Sequence, residues 1–299
     1  MNGFKNVIGR EKIRIDLRRY ANILKNASEN AKLEIEITIG INDAGRIDLI
    51  NQITGNCGLP LNPKYTFESM VDVDFNHVAY SAALEVARNL GNKFNPLYLY
   101  GNVGMGKTNL LQAIGNEVLK NNPEKKVLYT TGENFTRERI NAIRDDANEA
   151  FRKKYRNVDL LLMDDFHDLC LKVCSQNEFL NTFDELKEAN KQIVISCNCP
   201  PREIERIDGR LISRIAAGMI VEIKEPSLEE RIALLQNMCA AEHIEISTDV
   251  LDYIAQNIDS NIRGMESGLA KVLAHAELTG MNITVYLATE ALKGAIKIE

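Results

Sequence analysis

Hydrophobic and polar positions follow two different periodicities in the first part of the chain. Over residues 13–24 the apolar residues recur at helical spacing beside a basic face, which predicts an amphipathic helix. Over residues 33–49 they alternate with polar residues, and turn-forming residues interrupt the alternation at 42–46. This second pattern is typical of a β-hairpin. We therefore expect residues 1–60 to form a small α+β appendage.

The sequence pattern changes at residue 61, where short apolar segments begin to alternate with segments of helical periodicity. Five of these segments are β-prone and apolar, as strands buried on both faces are: Leu97–Tyr100, Val127–Thr131, Leu160–Asp164, Ile193–Cys197 and Ile220–Ile223. The alternation predicts an α/β domain over residues 61–225, with a parallel sheet sandwiched by helices. Beyond it, helical patterns occupy residues 227–242, 248–257, 262–279 and 285–293. Residues 226–299 are therefore expected to form a small all-helical domain.

Composition narrows the classes of protein to which the chain can belong. Its 299 residues are 45% hydrophobic and 26% charged, which is usual for globular proteins. The net charge of -6 gives no global attraction to nucleic acid, so any DNA contact must come from a local basic patch. Six cysteines in a chain of this length do not indicate a secreted disulfide scaffold. No membrane-spanning segment or export signal is recognisable, so a cytoplasmic location is expected.

A glycine-rich turn follows the first predicted strand. It matches the pattern G-x-x-x-x-G-K-[ST] in full and is followed by a helical segment. Backbone N–H groups of such a turn, together with the positive end of the helix, surround nucleotide phosphates. The lysine contacts the β and γ phosphates, and the threonine hydroxyl binds Mg²⁺. The sequence therefore predicts an ATP and Mg²⁺ site at Gly101, Asn102, Val103, Gly104, Met105, Gly106, Lys107, Thr108 and Asn109.

Two adjacent carboxylates follow the third predicted strand. Asp164 ends that strand, and Asp165 comes directly after it. A carboxylate at the end of a buried strand can hold Mg²⁺, while its neighbour can orient or deprotonate the attacking water. We assign Asp164 to the metal together with Thr108, and Asp165 to the water. The alternative is that the pair caps a helix. The two motifs together predict a P-loop ATPase of the AAA+ type.

Further segments resemble the DnaA family of bacterial chromosomal replication initiators. They follow one another in the family's order: Leu61–Phe67, Asn95–Thr108, Phe151–Asp159 with the two aspartates, Lys191–Ser196, Gly209–Arg214 and Asp259–Arg263. The resemblance extends from about residue 61 to residue 293. It implies that the sheet domain is an AAA+ nucleotide-binding domain and that the helical domain is its lid.

The resemblance also implies roles for three residues beside the catalytic Lys107 and the aspartates. Arg214 lies where the family has its arginine finger, which reaches the γ-phosphate of a neighbouring subunit. Arg263 lies at the second sensor, on the lid. Asn198 occupies the first-sensor position, where the family usually has aspartate, but an amide can still hydrogen-bond a water or a phosphate. For each arginine the alternative is a surface ion pair.

A basic segment, residues 135–156, resembles the helical insertion that distinguishes these initiators from other AAA+ proteins. Its excess of positive charge suits contact with the backbone of single-stranded DNA, although solvated helices have a similar composition. A second stretch falls where the family contacts the strand, but Cys174 replaces a longer polar or basic side chain there. The predicted DNA-contacting residues are Arg152, Lys153, Lys154, Arg156, Lys172 and Ser175.

Two departures from the family leave the function open. After the resemblance ends at residue 293 we expect no C-terminal helix-turn-helix domain that reads duplex origin DNA, and residues 1–60 do not resemble the usual first domain. We therefore expect an initiator-like ATPase without a duplex reader, or part of a longer protein. Its first candidate function is slow, switch-like ATP hydrolysis by an ATP-dependent homo-oligomer that holds single-stranded DNA. The alternatives are a regulator that docks onto an initiator, and a loader that acts on a replicative helicase.

Overall fold

The computed structural model describes residues 58–258 and 261–293. The chain divides between Pro60 and Leu61, and the architecture below is that of the second unit, Leu61–Glu299. The helix and hairpin predicted for the appendage lie outside the described residues, and so do Asp259 and Ser260 of the second-sensor motif.

Five parallel strands form the centre of the fold, in the order β2-β3-β4-β1-β5. They are β1 (Leu97–Tyr100), β2 (Val127–Thr131), β3 (Leu160–Asp164), β4 (Gln192–Cys197) and β5 (Met219–Glu222). The predicted parallel sheet is confirmed, with β4 and β5 each beginning one residue earlier than expected. Gln192 extends β4 because its buried amide is satisfied by backbone groups, accepting from Gly91 N–H and donating to the Phe94 carbonyl.

The strand order creates a crevice at the carboxyl ends of β1 and β4. From β1 the chain crosses to β2 at one edge of the sheet, returns through β3 and β4, and then places β5 on the opposite side of β1. In open parallel sheets, ligands bind where the direction of winding reverses in this way. Gly101, Asp165 and Asn198 directly follow β1, β3 and β4, so all three lie at this edge.

Helices connect the strands and cover the sheet. They are α1 (His77–Arg88), α2 (Lys107–Asn121), α3 (Gly132–Arg144), α4 (Asn148–Arg156), α5 (Val173–Glu188) and α6 (Gly209–Ala216), with 3₁₀ turns at Phe166–Leu171 and Pro201–Glu203. Strands β3 and β4 are buried along their whole length, as expected for a sheet covered on both faces. None of the helices in the described ranges has the length and apolar character needed to cross a membrane.

Helices α3 and α4 form the segment that resembles the initiator insertion. Phe135 on α3 is fully buried, and its ring packs against Phe151 and Tyr155 of α4 with centroid distances of 5.2 and 4.7 Å. It also meets Phe179 of α5 at 5.7 Å. All three contacts are edge-on, the arrangement that aromatic rings prefer. This aromatic cluster fixes the insertion to α5.

The part that follows the sheet is helical, as predicted. It consists of α7 (Leu228–Ala241), α8 (Thr248–Asn257), α9 (Ile262–Thr279) and α10 (Val285–Leu292). Local sequence explains several of the helix ends. Ser227 and Glu230 form a capping box at the start of α7, and the Asn261 side chain accepts from Gly264 N–H at the start of α9. Gly280, with φ of 67°, ends α9 in a left-handed conformation.

Replacing Phe135 with alanine should lower the free energy of unfolding by about 3–5 kcal/mol, because it leaves a cavity among three rings. Urea unfolding followed by circular dichroism measures this difference. The control is Ile143→Ala on the same helix, where the side chain is 49% exposed. The control should change the free energy of unfolding by less than about 0.5 kcal/mol. Equal losses in both variants would contradict the core assigned to the insertion.

Candidate nucleotide-binding site

The turn between β1 and α2 has the backbone geometry that phosphate binding requires. Gly104 and Gly106 both have φ of 83°, a conformation that residues with a Cβ rarely adopt. A Cβ on Gly104 would also lie 2.8 Å from Asn261 Oδ1. Helix α2 begins at Lys107, directly after Gly106. Its first N–H groups and its positive end therefore point into the turn.

Lys107 is the buried cation of the site, with only 6% of its surface exposed. Its Nζ donates to the carbonyl oxygens of Gly101 and Asn102 at 2.7 and 2.8 Å. Burial lowers the pKa of Lys107, whereas the nearby charges of Asp165 and Asp164 raise it. Because an ammonium group has three N–H donors, two carbonyl bonds leave one donor for an anionic ligand.

Asp164, at the end of β3, is 2% exposed, and its carboxylate is held by several donors. Thr108 Oγ1 and the Tyr129 hydroxyl donate to Oδ2 at 2.8 and 3.0 Å. The Ser196 hydroxyl and the Asp165 backbone N–H donate to Oδ1. Burial, followed by the negative charge of Asp164, raises the pKa of Tyr129, so this hydroxyl stays protonated. The carboxylate therefore has a fixed orientation.

The donor set at this point fits a magnesium ion. Mg²⁺ prefers oxygen ligands and is usually held by one or two carboxylates or hydroxyls together with substrate phosphates and water. Thr108 Oγ1 and Asp164 Oδ2 lie 2.8 Å apart beside the phosphate turn. The two oxygens could thus share a metal with a nucleotide bound in that turn.

Asp165 and Asn198 line the same cleft as Lys107 and Thr108. Asp165 has φ of 47°, and such left-handed backbone outside glycine costs about 1–3 kcal/mol and is concentrated at functional sites. Burial and the charge of Asp164 raise the pKa of Asp165. A carboxylate with a raised pKa accepts a proton more readily, which suits a base toward water.

Arg263 approaches the cleft from the helical part of the unit. It lies in the first turn of α9, its side chain is exposed, and it lines the cleft opposite Lys107 and Thr108. Its backbone N–H lies 3.4 Å from the Gly104 carbonyl oxygen. The start of α9 therefore packs directly on the phosphate turn.

Arg214 lies outside the residues that line this cleft. On α6, its Nε and Nη2 donate to the two carboxylate oxygens of Asp184 on α5, at 2.5 and 2.7 Å. A bidentate pair of this kind has the strongest ion-pair geometry. The two side chains are 33% and 40% exposed, however, so solvent screens part of the attraction. The surface ion pair that composition suggests for Arg214 is thus present within the chain itself.

Some of the predicted DNA-contacting residues lie at the surface. Lys153 on α4 and Lys172, just before α5, are both exposed. Arg152 is 50% exposed, with its Nε 3.4 Å from a carboxylate oxygen of Glu178. These side chains are accessible to a ligand from solvent.

The other predicted DNA-contacting residues are engaged within the protein. Lys154 Nζ donates to both carboxylate oxygens of Glu138 at 2.8 Å, and Arg156 Nη2 donates to Glu178 at 2.7 Å. Ser175 is fully buried. Its position on the core-facing side of α5 turns the hydroxyl inward, so the expected contact between Ser175 and a DNA strand does not fit this geometry.

Two side-chain hydroxyls that donate to the Asp164 carboxylate were not predicted from the sequence. Tyr129 lies on β2 and Ser196 on β4, one on each side of β3. The available signal was a hydroxyl within each of the two strands that flank the strand ending in the aspartates, but β2 also carries Thr130 and Thr131, and β4 also carries Gln192. Strand order could not be read from sequence pattern alone, so this signal could not be connected to Asp164.

A largely apolar cavity beside the phosphate turn was not expected either. It shares Gly106 and Ile262 with the cleft. Its walls come from the segment after residue 60 and from helices α7 and α9, and they include Tyr65, Met70, Val71, Leu234, Met238, Leu269 and Leu273. Because these residues are far apart along the chain, no local pattern indicates the cavity.

Comparison with known proteins identifies the family. A family model described as the bacterial DnaA ATPase domain matches residues 61–222. The chromosomal replication initiator protein DnaA of Enterococcus faecalis is 49% identical over 233 residues, which are 78% of this chain and 52% of that protein. The chain thus spans about half the length of this curated relative.

Solved structures agree with this match. Domain III of the Thermotoga maritima replication initiation protein DnaA is 40% identical and has a TM-score of 0.76, covering 80% of this chain and 100% of that one. A replication initiator DnaA bound to AMPPCP and single-stranded DNA is 33% identical, with a TM-score of 0.70 over 78% of this chain and 70% of that one. Since the family model covers more than half of its length, this chain belongs to the bacterial DnaA family and contains that family's AAA+ ATPase domain.

Proposed function

We propose that this chain is a nucleotide-switched ATPase of replication initiation, with residues 61–225 as its nucleotide-binding domain and residues 226–299 as a lid. The observation that carries the proposal is the meeting of Lys107, Thr108 and the two aspartates at one cleft. The similar initiator bound to AMPPCP, an ATP analogue, supports ATP as the ligand. Hydrolysis is slow in this proposal because the nucleotide sets a conformation rather than driving turnover.

Mg²⁺ would be held by Thr108 and Asp164 and would supply charge that polarises the transferred phosphoryl group. The described residues contain no cluster of three or more His, Cys, Asp or Glu side chains that could hold a metal. The remaining ligands would be nucleotide oxygens and water, as is usual for Mg²⁺. Lys107 binds the β and γ phosphates, and Asp165 orients or deprotonates the attacking water. Asn198 hydrogen-bonds that water or the phosphate, while Arg263 contacts the γ-phosphate from the lid.

The apolar cavity beside Gly106 would take the nucleobase. A flat aromatic base gains from leaving water, and ligand sites for such groups are lined mostly by apolar side chains. Leu234, Met238 and Leu269 supply this lining from the lid, and Tyr65 supplies it from the segment before the sheet. A base in the cavity and phosphates in the turn would tie the lid to the sheet. Nucleotide binding thereby becomes a conformational signal.

Arg214 would act between subunits. It lies outside the cleft of its own chain, so contact with a γ-phosphate requires a neighbouring molecule. A contact of one surface with a different surface of the next copy builds open filaments or rings. We therefore propose ATP-dependent assembly in which Arg214 leaves Asp184 and binds the neighbour's nucleotide.

Single-stranded DNA is the proposed ligand of the assembled form. Lys153 and Lys172 are exposed and suit contact with phosphates. Leu171 and Val173, which flank Lys172, are 56% and 74% exposed and offer apolar contact to unstacked bases. The similar initiator that binds single-stranded DNA supports this assignment.

The second candidate function is a regulator or helicase loader that acts on a partner protein. The observation that favours it is the engagement of Lys154 and Arg156 with carboxylates, together with the burial of Ser175. These contacts leave fewer side chains for DNA than the sequence suggests. In this alternative Arg214 would act on the nucleotide of an initiator, and the chain alone would stay monomeric with ATP.

Replacing Lys107 with alanine should reduce nucleotide affinity by at least about 10- to 100-fold, since a hydrogen bond to a charged group contributes about 1.5–3 kcal/mol. Titration with a fluorescent ATP analogue measures the affinity. The control is Lys120→Ala on the same helix, an exposed lysine paired with Glu68. Unchanged affinity in a folded Lys107→Ala protein would refute the proposed site.

Replacing Arg214 with alanine should raise the concentration for ATP-dependent assembly at least about tenfold, because a charged contact to a neighbour's phosphate is lost. Nucleotide affinity of the monomer should stay unchanged. Light scattering with ATP and with ADP measures assembly. The control is Arg210→Ala on the same helix, which loses an ion pair with Asp208. Loss of nucleotide affinity in Arg214→Ala would contradict action between subunits, and a monomeric parent protein would favour the second function.

Replacing both Lys153 and Lys172 with alanine should weaken binding of single-stranded DNA. The slope of log affinity against log salt is negative, and each lost phosphate contact should reduce its magnitude by about 0.7, so the double variant should reduce the magnitude by about 1.4. Fluorescence anisotropy with labelled oligothymidine at several salt concentrations measures this slope. In the control variant, Lys93 and Lys120 are both replaced with alanine. These lysines form ion pairs with Glu85 and Glu68. If both double variants bind alike, the lysines do not contact the strand.

A further inference from the structure

The Asp164 carboxylate is held from both neighbouring strands. Tyr129 on β2 donates to Oδ2 at 3.0 Å, and the Ser196 hydroxyl on β4 donates to Oδ1. Thr108 also donates to Oδ2, but its oxygen is itself a proposed ligand of the metal. Tyr129 is therefore the donor on Oδ2 that has no other part in the proposed site.

The hydroxyl of Tyr129 is separable from the bulk of its ring. The side chain is only 7% exposed, so the ring fills space that a phenylalanine ring would fill as well. The hydroxyl lies in a buried contact with Asp164. Leu128, which precedes it on β2, is apolar and buried, whereas the hydroxyls of Thr130 and Thr131 accept hydrogen bonds from the start of α3 and do not contact the Asp164 carboxylate. Packing alone therefore does not account for the hydroxyl.

Hydrogen-bond donors to a metal-ligating carboxylate affect how tightly that carboxylate binds the metal. A ligating group that is hydrogen-bonded from behind keeps its orientation, and loss of such a partner typically lowers metal affinity by about 10- to 100-fold. Asp164 has two donors on Oδ2, and only the one from Tyr129 comes from a residue that is not a metal ligand in the proposed site. If the Thr108 oxygen ligated a metal ion instead of donating to Asp164, the Tyr129 hydroxyl would be the remaining donor on Oδ2.

We propose that Tyr129 is a positioning residue for magnesium: its hydroxyl fixes the Asp164 carboxylate in the orientation that, with Thr108, binds the ion beside the nucleotide phosphates. The inference rests on the proposed Mg²⁺-dependent nucleotide site. It assigns to β2 a function in metal binding that lies outside the phosphate turn and the aspartate pair.

The test uses Tyr129→Phe in the full chain, which removes one oxygen atom. A fluorescent ADP is titrated first in EDTA and then at a fixed concentration with increasing Mg²⁺. In the variant, the Mg²⁺ concentration for half-maximal effect should rise about tenfold, the lower end of the usual range, because Ser196 still holds Oδ1. ADP affinity in EDTA should stay the same, since the phosphate turn is unchanged.

Tyr155→Phe is the matched control. Tyr155 is also buried, and its hydroxyl donates to a carboxylate, that of Glu138, at 3.0 Å. This variant loses the same atom and the same kind of bond away from the site, so its Mg²⁺ dependence should equal that of the parent. A fall in ADP affinity in EDTA for Tyr129→Phe would indicate a structural role and overturn the inference.

The parent protein separates the two proposals. If its ADP binding does not respond to Mg²⁺ at all, the proposed metal site fails. If the parent responds and the half-maximal Mg²⁺ concentration of Tyr129→Phe is within about twofold of the parent value, only the positioning role fails. Loss of a hydrogen bond that orients a metal ligand should change metal affinity by more than about twofold. A tenfold shift confined to Tyr129→Phe supports both.

Discussion

The site depends on one buried ammonium group held at the edge of a parallel sheet. Burying a charge is costly unless it is hydrogen-bonded and compensated. Lys107 meets that cost with two carbonyls of its own turn, and the charges of Asp164 and Asp165 oppose the lowering of its pKa by burial. The turn can keep this conformation because Gly104 and Gly106 adopt positive φ. Strand order, glycine positions and the aspartate pair are thus parts of a single electrostatic arrangement.

Helix α5 links α3 and α4 to α6 through three kinds of contact. Its Glu178, only 4% exposed, lies within ion-pair distance of arginines from α3 and α4: Arg139, Arg152 and Arg156. Its Gln176 donates to the Arg206 carbonyl and accepts from Asp208 N–H, which fixes the start of α6. Its Asp184 holds Arg214. Removing one partner from a buried charge cluster typically costs about 3–5 kcal/mol, so the contacts of Glu178 hold the insertion firmly to α5.

The sequence was informative where function requires a local pattern, and less so where it requires strand order. The glycine turn and the alternation of strands and helices are local patterns. Each predicted end of a strand, and of a helix after the sheet, therefore lies no more than one residue from the observed end. Gln192 shows the limit, since its polar side chain is satisfied by backbone groups from a distant loop. Tyr129 and Ser196 reach Asp164 only because β2 and β4 flank β3. Charge alone could not separate exposed Lys153 from Arg156, which is paired with Glu178.

In the proposed assembly, the ion pair between Arg214 and Asp184 would limit how much a neighbour's nucleotide contributes to the free energy of association. A guanidinium that binds a phosphate must first give up two hydrogen bonds to a carboxylate, so only the difference between the two partners contributes to assembly. Both side chains are partly exposed, which makes the internal pair weak in water. A γ-phosphate at a closed interface carries more negative charge than the Asp184 carboxylate, and solvent screens that charge less. In the assembly proposed above, this exchange would favour association only when a triphosphate is present, which is the property that a nucleotide switch needs.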